Sequence, residues 1–549
     1  RSYFAKNWYW FVLLALMLIA FGTRIANIGI SPTYFEFDPY FDMIDAEYVV
    51  TYGHQLLMDP SAWPVVPGGT NHRIQPLIPY LEAYWYELAN ALKFHYSTFS
   101  TALMSYVGSI YPPITAALLV FVIFMLLYHE YDKNIALIGA SLTAMMPVLI
   151  TTFIAGEQLL EPWGIFSLFF FFASYMLAVK NPGHTRYAIL AGIAFVATIL
   201  GAHYFTVDAG VLAIYILLQG LVSVTTKEDT RKFYKTNLIV LLIIIVFYAA
   251  YAPYKATLSG RLPTIMHIPT IIALPLFALI FVMVYEFVPK ALEKYRIVRK
   301  LTLAHYIAWL FIIIIVLLGL VFFTSIGKPL VAYLDLSARF TTPSSPLFMT
   351  VQEFEPSGML FNFGGSGFGA LGYTINYADP ITGTTTSVPI TVWLICGIAI
   401  VLIVLSIYYR RSKTGILYLA ISMPLMFAGF SEVKYLPHFG VVEIMLFGIL
   451  LGELVMLAQN DYRLKRTNID YIEESTYERH RTMYHFVIIF GLFFIFGRAF
   501  VLLLLVYYIV YLYIYKKERS RYINNMIAVS ILLGIVSMAS PQFAIGESA

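Results

Sequence analysis

Long apolar runs, separated by short polar joints, recur along nearly the whole chain. A helix needs roughly 20 apolar residues to cross a bilayer, because inside lipid each segment has to satisfy its own backbone N–H and C=O groups. The pattern predicts spanning helices at Trp8–Ile30, Leu103–Tyr128, Ile135–Ile154, Trp163–Val179, Tyr187–Leu200, Tyr204–Val222, Leu238–Tyr254, Ile268–Val288 and Ala304–Thr324. More follow at Ile390–Tyr408, Ile416–Phe430, Phe439–Ala458 and Asn525–Ser540. Trp8–Ile30 exceeds the roughly 7–15 residues of a signal-peptide core and reads as the first spanning helix. The run Met483–Tyr515 is apolar throughout and longer than one helix requires; it is either a hairpin turning near Gly497-Arg498 or a single tilted helix. The expected fold is therefore an all-α membrane protein of about 13 spanning helices. Two long, more polar loops interrupt it, Ser31–Phe99 and Ile326–Val388.

Composition agrees. Hydrophobic residues make up 60% of the 549 and charged residues 12%, about half the share of an ordinary soluble domain, roughly 25%. A net charge of +4 with no basic face argues against a nucleic-acid partner. The single cysteine, Cys396, lies in an apolar run and reads as a buried thiol; one cysteine allows neither a disulfide framework nor a cysteine-based zinc site. The sequence has no internal repeat and no P-loop, GxGxxG or HExxH pattern.

Lysine and arginine mark one side of the membrane. They fall in alternate joints: Lys180 and Arg186; Lys227, Arg231, Lys232 and Lys235; Lys290 to Lys300; Arg410, Arg411 and Lys413; Arg463, Lys465 and Arg466. Basic loops stay cytoplasmic, so the two long loops belong on the outer face.

Acidic residues cluster on that outer face. The first loop opens with Glu36-Phe37-Asp38-Pro39-Tyr40-Phe41-Asp42, in which Asp38 before Pro39 has the pattern of a helix N-cap. The turn after the third helix reads Ala155-Gly156-Glu157-Gln158-Leu159-Leu160-Glu161-Pro162, and the second long loop contains Thr350-Val351-Gln352-Glu353. Each alone reads as a solvated loop or a cap. Three on one face, in a chain with so few charges, point further, because carboxylates at the ends of apolar helices are costly unless solvated, paired or bound to a cation. Hard oxygen donors from separate loops suit Mg²⁺ or Mn²⁺. Such a cation binds and stabilises a diphosphate. His72 and Arg73 in the first loop, and Lys434 and His438 in Ser431-Glu432-Val433-Lys434-Tyr435-Leu436-Pro437-His438, are candidates for phosphate oxygens.

These residues resemble the catalytic subunit of oligosaccharyltransferase, most closely the archaeal single-subunit type, a GT-C membrane glycosyltransferase. The likeness rests on Phe37-Asp38-Pro39-Tyr40-Phe41, on Ala155-Gly156 with Glu161, on Thr350-Val351-Gln352-Glu353 beside the family's TIxE motif, and on Ser431-Glu432-Val433-Lys434. It extends from about Trp8 to Ala458. There are departures. Leu159 stands where the family's second motif has its first acid, leaving Glu157 as a substitute, and Lys434 stands where arginine is usual, which forfeits a bidentate phosphate contact. The family's WWDYG motif, part of an outer soluble domain that reads the acceptor sequence, is not in this sequence; the expectation is that an outer domain or a partner subunit carries it.

The resemblance implies a division of labour. Asp38, Glu161 and Glu157 hold Mn²⁺ or Mg²⁺, Asp38 and Glu353 engage the acceptor asparagine amide, and His72, Arg73, Lys434 and His438 bind the lipid diphosphate. The implied reaction moves a glycan from a polyprenyl (dolichyl) phosphate or diphosphate to asparagine. The implied partners are the lipid-linked oligosaccharide donor, an acceptor polypeptide and membrane lipid. Residues 1–458 form the catalytic membrane core, and residues 459–549 the C-terminal spanning segments. The implied location is the archaeal cell membrane, or the endoplasmic reticulum in a eukaryote. The rival readings are another GT-C enzyme with a lipid-phosphate sugar donor and a hydroxyl acceptor, and a transporter or lipid-handling protein. Transporters usually carry paired repeats and mid-membrane charges, neither of which the sequence suggests.

Overall fold

The computed structural model describes residues 2–29, 34, 38–55, 58–59, 70–71, 76–157, 160–202, 204–259, 270–295, 305–306, 308–310, 312, 374–378, 385–389, 392–410, 412–431 and 435–466. Helices dominate. They are α1 (Ser2–Ile25), α2 (Asp38–Tyr52), α3 (Leu77–Ala89), α4 (Thr101–Gly108), α5 (Tyr111–Glu130), α6 (Lys133–Met145), α7 (Pro147–Thr152), α8 (Leu160–Lys180), α9 (Thr185–Gly201), α10 (Phe205–Thr225), α11 (Arg231–Ser259), α12 (Thr270–Lys294), α13 (Val392–Arg410), α14 (Lys413–Ser431) and α15 (Leu436–Arg466). Two short antiparallel ribbons, β1 (Met58–Asp59) with β2 (Thr70–Asn71) and β3 (Thr374–Ala378) with β4 (Thr385–Pro389), are the departures from the all-helical expectation.

The predicted spans from Trp8 to Val288 and from Ile390 to Ala458 coincide with described helices. Ala304–Thr324 falls almost entirely outside the described residues, and Met483–Tyr515 and Asn525–Ser540 fall wholly outside them, so the helix count rests on the sequence there. Among the described residues, six segments are long and apolar enough to cross a membrane: 7–25, 101–130, 160–180, 205–225, 231–251 and 271–294. Shorter apolar helices cover 185–201, 413–429 and 436–452. The chain is an integral membrane protein.

Two predicted helices are broken, for local reasons. Ile135–Ile154 divides at Met146, whose ψ of 123° is extended. Pro147 has no N–H and disfavours helical backbone in the residue before it, so α6 stops and α7 starts afresh. Leu103–Tyr128 divides between α4 and α5, just before Pro112 and Pro113 in the first turn of α5. The centre of the bundle is α8, whose aromatic run Phe169 to Tyr175 is largely buried among α5, α9 and their neighbours.

The basic joints meet at one end of the bundle. Lys180 pairs with Glu130 at 2.8 Å, Thr414 donates to the same carboxylate at 2.9 Å, and Lys413 pairs with Glu228 at 2.9 Å. Lys290 joins Glu286, which also accepts from Thr230 and Tyr234. Five joints far apart in sequence are thereby tied together, as the alternation of charge predicts.

At the other end, α2 and α3 pack on α4 around a small apolar cluster of Ala46, Tyr86, Leu103, Met104 and Val107. The Tyr86 hydroxyl accepts the Ser100 N–H at 2.9 Å, and Ser100 caps α4. The helices α2 and α3 of the first long loop therefore form a layer against α4. The helix that begins at Asp38-Pro39 ends at Gly53, whose φ of +80° is left-handed backbone that glycine adopts without strain.

Candidate functional site at the acidic end of the bundle

The acidic turn before α8 is held from two sides. The break at Pro147 takes the Ala144 carbonyl out of the helical ladder, and Arg24 fills the gap. Its guanidinium donates to the carbonyls of Ala144 at 3.0 Å, Ala20 at 3.0 Å and Leu149 at 3.3 Å. The backbone carbonyl of Arg24 then accepts the Ala155 N–H at 2.9 Å. Arg24 is fully buried. Gly156 follows with φ +99°, which turns the chain so that Glu157 N–H bonds back to Ile154 at 3.1 Å. Glu161 lies in the first turn of α8, where the positive end of the helix dipole favours a carboxylate.

Opposite this turn stand the acids of the first loop. Asp38, Asp42 and Asp45 are spaced i, i+4 and i+7 and share one face of α2. Asp42 and Asp45 are buried, as is Glu82 on α3. Gln55 donates to Asp45 at 2.6 Å. Among the described residues Glu82 has no hydrogen-bond partner at either oxygen. Burial, and then the neighbouring Asp42 carboxylate, push the Glu82 carboxyl well above the usual carboxylate range. Tyr111, at the start of α5, connects the two groups. It lies within electrostatic range of Asp42, Glu82 and Glu161, and its hydroxyl meets the Trp163 backbone N–H.

A third strand of the site comes from α10 and α15. His438 is buried, with its ring 4.4 Å from that of Tyr204 and 5.9 Å from that of Tyr435. Tyr204 lies against Gly164, one turn beyond Glu161, where a Cβ would meet the Tyr204 ring. Asp208, in the first turn of α10, and Glu443, on α15 within electrostatic range of Cys396, are also buried. Cys396 is the buried thiol expected from sequence.

Of the expected site residues, Glu161, Glu157 and His438 are described with their side chains. Glu161 and His438 come to the same end of α8. Asp38 is described by its backbone alone. Glu353, His72, Arg73 and Lys434 lie outside the described residues, so the expected meeting of Asp38, Glu161 and Glu353 is neither made nor broken by what is described. Asp42, Asp45, Glu82, Tyr111 and Asp208 were not singled out from sequence. The helical spacing from Asp38 was the available signal for the first two, and a lone acid in the apolar stretch Leu77–Ala83 was the signal for Glu82.

Among the described residues, no three His, Cys, Asp or Glu side chains stand close enough to hold a metal ion. The donors gathered here are hard oxygens, and Glu82 is a buried, unpartnered carboxyl beside a second carboxylate. A proton or a divalent cation nearby is what such a pair requires, so the donor set fits Mg²⁺ or Mn²⁺ better than a soft metal.

No protein-family model and no curated protein sequence matches the chain. Solved structures do. The chain is similar in fold to the archaeal oligosaccharyltransferase AglB from Archaeoglobus fulgidus in complex with an inhibitory peptide and a dolichol-phosphate, with a TM-score of 0.61 and 16% identity, over 85% of this chain and 53% of that one. It is similar to the Archaeoglobus fulgidus oligosaccharyltransferase tethered to an acceptor peptide with an NVT sequon, at TM-score 0.54 and 16% identity over 90% and 54%. The same holds for a complex of that enzyme with zinc and sulfate, at TM-score 0.53 and 16% identity over 82% and 50%. The chain thus spans about half the length of the structures it matches.

Proposed function

We propose that this chain, which shares its fold with the archaeal oligosaccharyltransferases, is the membrane catalytic part of an enzyme that transfers a glycan from a polyprenyl (dolichyl) phosphate or diphosphate to asparagine. The observation that carries the reading is the fold match over 85% of the chain, at whose acidic end Glu161, Asp42 and Glu82 act on a single buried phenol, Tyr111. Relatives of the fold have been solved with a dolichol-phosphate, with acceptor peptide and with a metal; here the same partners are inferred for this chain.

A carboxamide nitrogen is a poor nucleophile because its lone pair is delocalised into the carbonyl. In this reading Asp38 and Glu353 accept the two N–H groups of the acceptor side chain and hold its nitrogen out of conjugation. The nitrogen attacks the anomeric carbon, the carbon–oxygen bond to phosphate breaks, and an amide proton passes to a carboxylate. The lipid phosphate or diphosphate leaves and the configuration inverts. Asp38, Glu161 and Glu157 would hold Mn²⁺ or Mg²⁺, which when bound neutralises charge on the departing phosphate. His72, Arg73, Lys434 and His438 would face phosphate oxygens. Buried His438, fixed against Tyr204, is a positioned donor. Lysine and arginine at the opposite end support, by the charge rule, the reading that these groups face outside the cytoplasm, at an archaeal cell surface.

The test is direct. The full-length protein, reconstituted in liposomes with lipid-linked oligosaccharide and Mn²⁺, should add glycan mass to the asparagine of a peptide. Intact donor and unmodified peptide after prolonged incubation would refute the assignment.

A further inference from the structure

At the basic end of the bundle, away from the acidic site, α8, α10 and α11, with Lys413 of α14, line a partly open cavity of about 360 Å³. Its wall includes Tyr175, and roughly 21 Å of α8 separates Tyr175 from Glu161 at 1.5 Å per residue. The cavity is therefore independent of the proposed transfer site.

The hydrogen bonds of the wall leave one acceptor over. Tyr175 donates to Asn237 Oδ1 at 2.6 Å, and Asn237 Nδ2 donates to the Phe233 carbonyl at 3.0 Å. Gln219 Nε2 donates to Ser223 Oγ at 2.8 Å, whose hydroxyl donates on to Glu228 at 3.4 Å, and Glu228 pairs with Lys413. Among the described residues Gln219 Oε1 has no partner, although only 2% of the residue is exposed. An orphaned buried acceptor costs roughly 1–3 kcal/mol, so it calls for a donor from inside the cavity. Water can supply that donor, and a space many times the roughly 30 Å³ of one water also has room for a larger one.

Charge narrows the occupant. The wall carries Lys232 and Lys413, and equally Glu228 and Asp229. An anion would face the two carboxylates, and a cation the two ammonium groups. Hydroxyl groups donate to Gln219, Glu228 and Asp229 and accept from Lys232, whose ammonium pairs with no carboxylate among the described residues. Tyr175, Tyr215 and Phe233 belong to the same wall and give it the aromatic surface on which the C–H side of a cyclic polyol packs. The geometry points to a site for an uncharged, polyhydroxylated ring of about hexose size. Its source is the headgroup of a membrane lipid or the free polyol.

The experiment places the full-length protein in phosphatidylcholine nanodiscs and measures binding of three probes: monoglucosyl diacylglycerol in the disc, glucose in solution, and phosphatidic acid as an anionic lipid whose headgroup carries no hydroxyl-bearing ring. The glucosyl lipid should bind, and Gln219→Leu should weaken it about tenfold, roughly 1.4 kcal/mol, in protein that still folds. Should Gln219→Leu fail to fold, Lys232→Met serves instead, with a several-fold loss expected. Binding of the lipid but not glucose assigns the lipid headgroup, and binding of both assigns the polyol itself. No binding of either, tighter binding of phosphatidic acid, or unchanged affinity in the folded variant would overturn the site.

Discussion

The Arg24 guanidinium donates to the Ala144 carbonyl at 3.0 Å, a bond that exists because of a proline. Pro147 stops α6, the carbonyl loses its helical partner, and an arginine from the first spanning helix supplies the donor. The same residue's backbone fixes Ala155 at the head of the acidic turn. An intramembrane arginine is costly unless it is fully engaged, and this one donates to three backbone carbonyls, of which Ala144 has lost its helical partner.

Arg24→Met should therefore do double damage. Removing the donor leaves the Ala144 carbonyl without its partner, a destabilisation of about 1–3 kcal/mol, while the Leu149 carbonyl keeps the Phe153 N–H at 3.2 Å. It also frees the turn that carries Glu157 and Glu161. The unfolding temperature in detergent should fall and glycan transfer should fall with it, whereas Arg24→Lys should recover part of both. Equal stability and activity for Arg24→Met would remove Arg24 from the account.

Gly156→Ala tests the turn itself. At φ +99° an added Cβ is strained, by roughly 1–2 kcal/mol on the scale of left-handed backbone. Thermal unfolding should register that loss. Transfer should fall further than the stability change explains, because Glu157 and Glu161 follow directly on the strained residue.

Glu82 gives the fold a pH dependence of known sign. Its folded carboxyl is held above the usual range by burial and by Asp42. In acid it is protonated in both the folded and the unfolded chain. As pH rises, the unfolded chain ionises first, near ~4.3, and the folded chain only at its raised value. Stability is therefore full below the unfolded value and is lost as pH rises through the folded one. With divalent metal chelated, the unfolding midpoint of wild type should decline with pH over that window, and Glu82→Gln should flatten the decline. The same slope in both proteins would place the pH dependence elsewhere.

Metal dependence separates the assigned roles. Chelation should abolish transfer, and Mn²⁺ or Mg²⁺ should restore it. Glu161→Gln should raise the metal concentration needed for half-maximal activity more than Glu353→Gln does, since the first is assigned to the metal and the second to the acceptor amide. Full activity after exhaustive chelation would give the carboxylates a different task.

The fold was legible wherever one physical rule acted alone. Apolar runs gave the spans, and alternating lysine and arginine brought Lys180, Lys290 and Lys413 to a common end. The rule failed at Met146–Pro147, where apolar periodicity continued across a residue that cannot extend the hydrogen-bond ladder. The acidic turn was visible as Glu157 and Glu161 because charged residues are rare in this chain. Glu82 and Asp208 were passed over because each stands alone in an apolar stretch, and a single acid does not reveal which loop will fold over it. Tyr111 was beyond reach from sequence: a tyrosine at a helix start becomes informative only once Asp42 and Glu161 are found within electrostatic range of it.

The central claim is glycan transfer to asparagine by the acidic end of this bundle. The measurement is mass spectrometry of three otherwise identical peptides with Asn, Gln or Ser at the acceptor position. Each is incubated with lipid-linked oligosaccharide, Mn²⁺ and reconstituted full-length protein, as wild type and as Glu161→Ala. The account predicts glycan on the asparagine peptide alone, and its loss, by about a hundredfold or more (roughly 2.7 kcal/mol at 1.36 kcal/mol per tenfold), in Glu161→Ala protein that still folds. Glycan on the serine peptide, or undiminished transfer by folded Glu161→Ala, would contradict it.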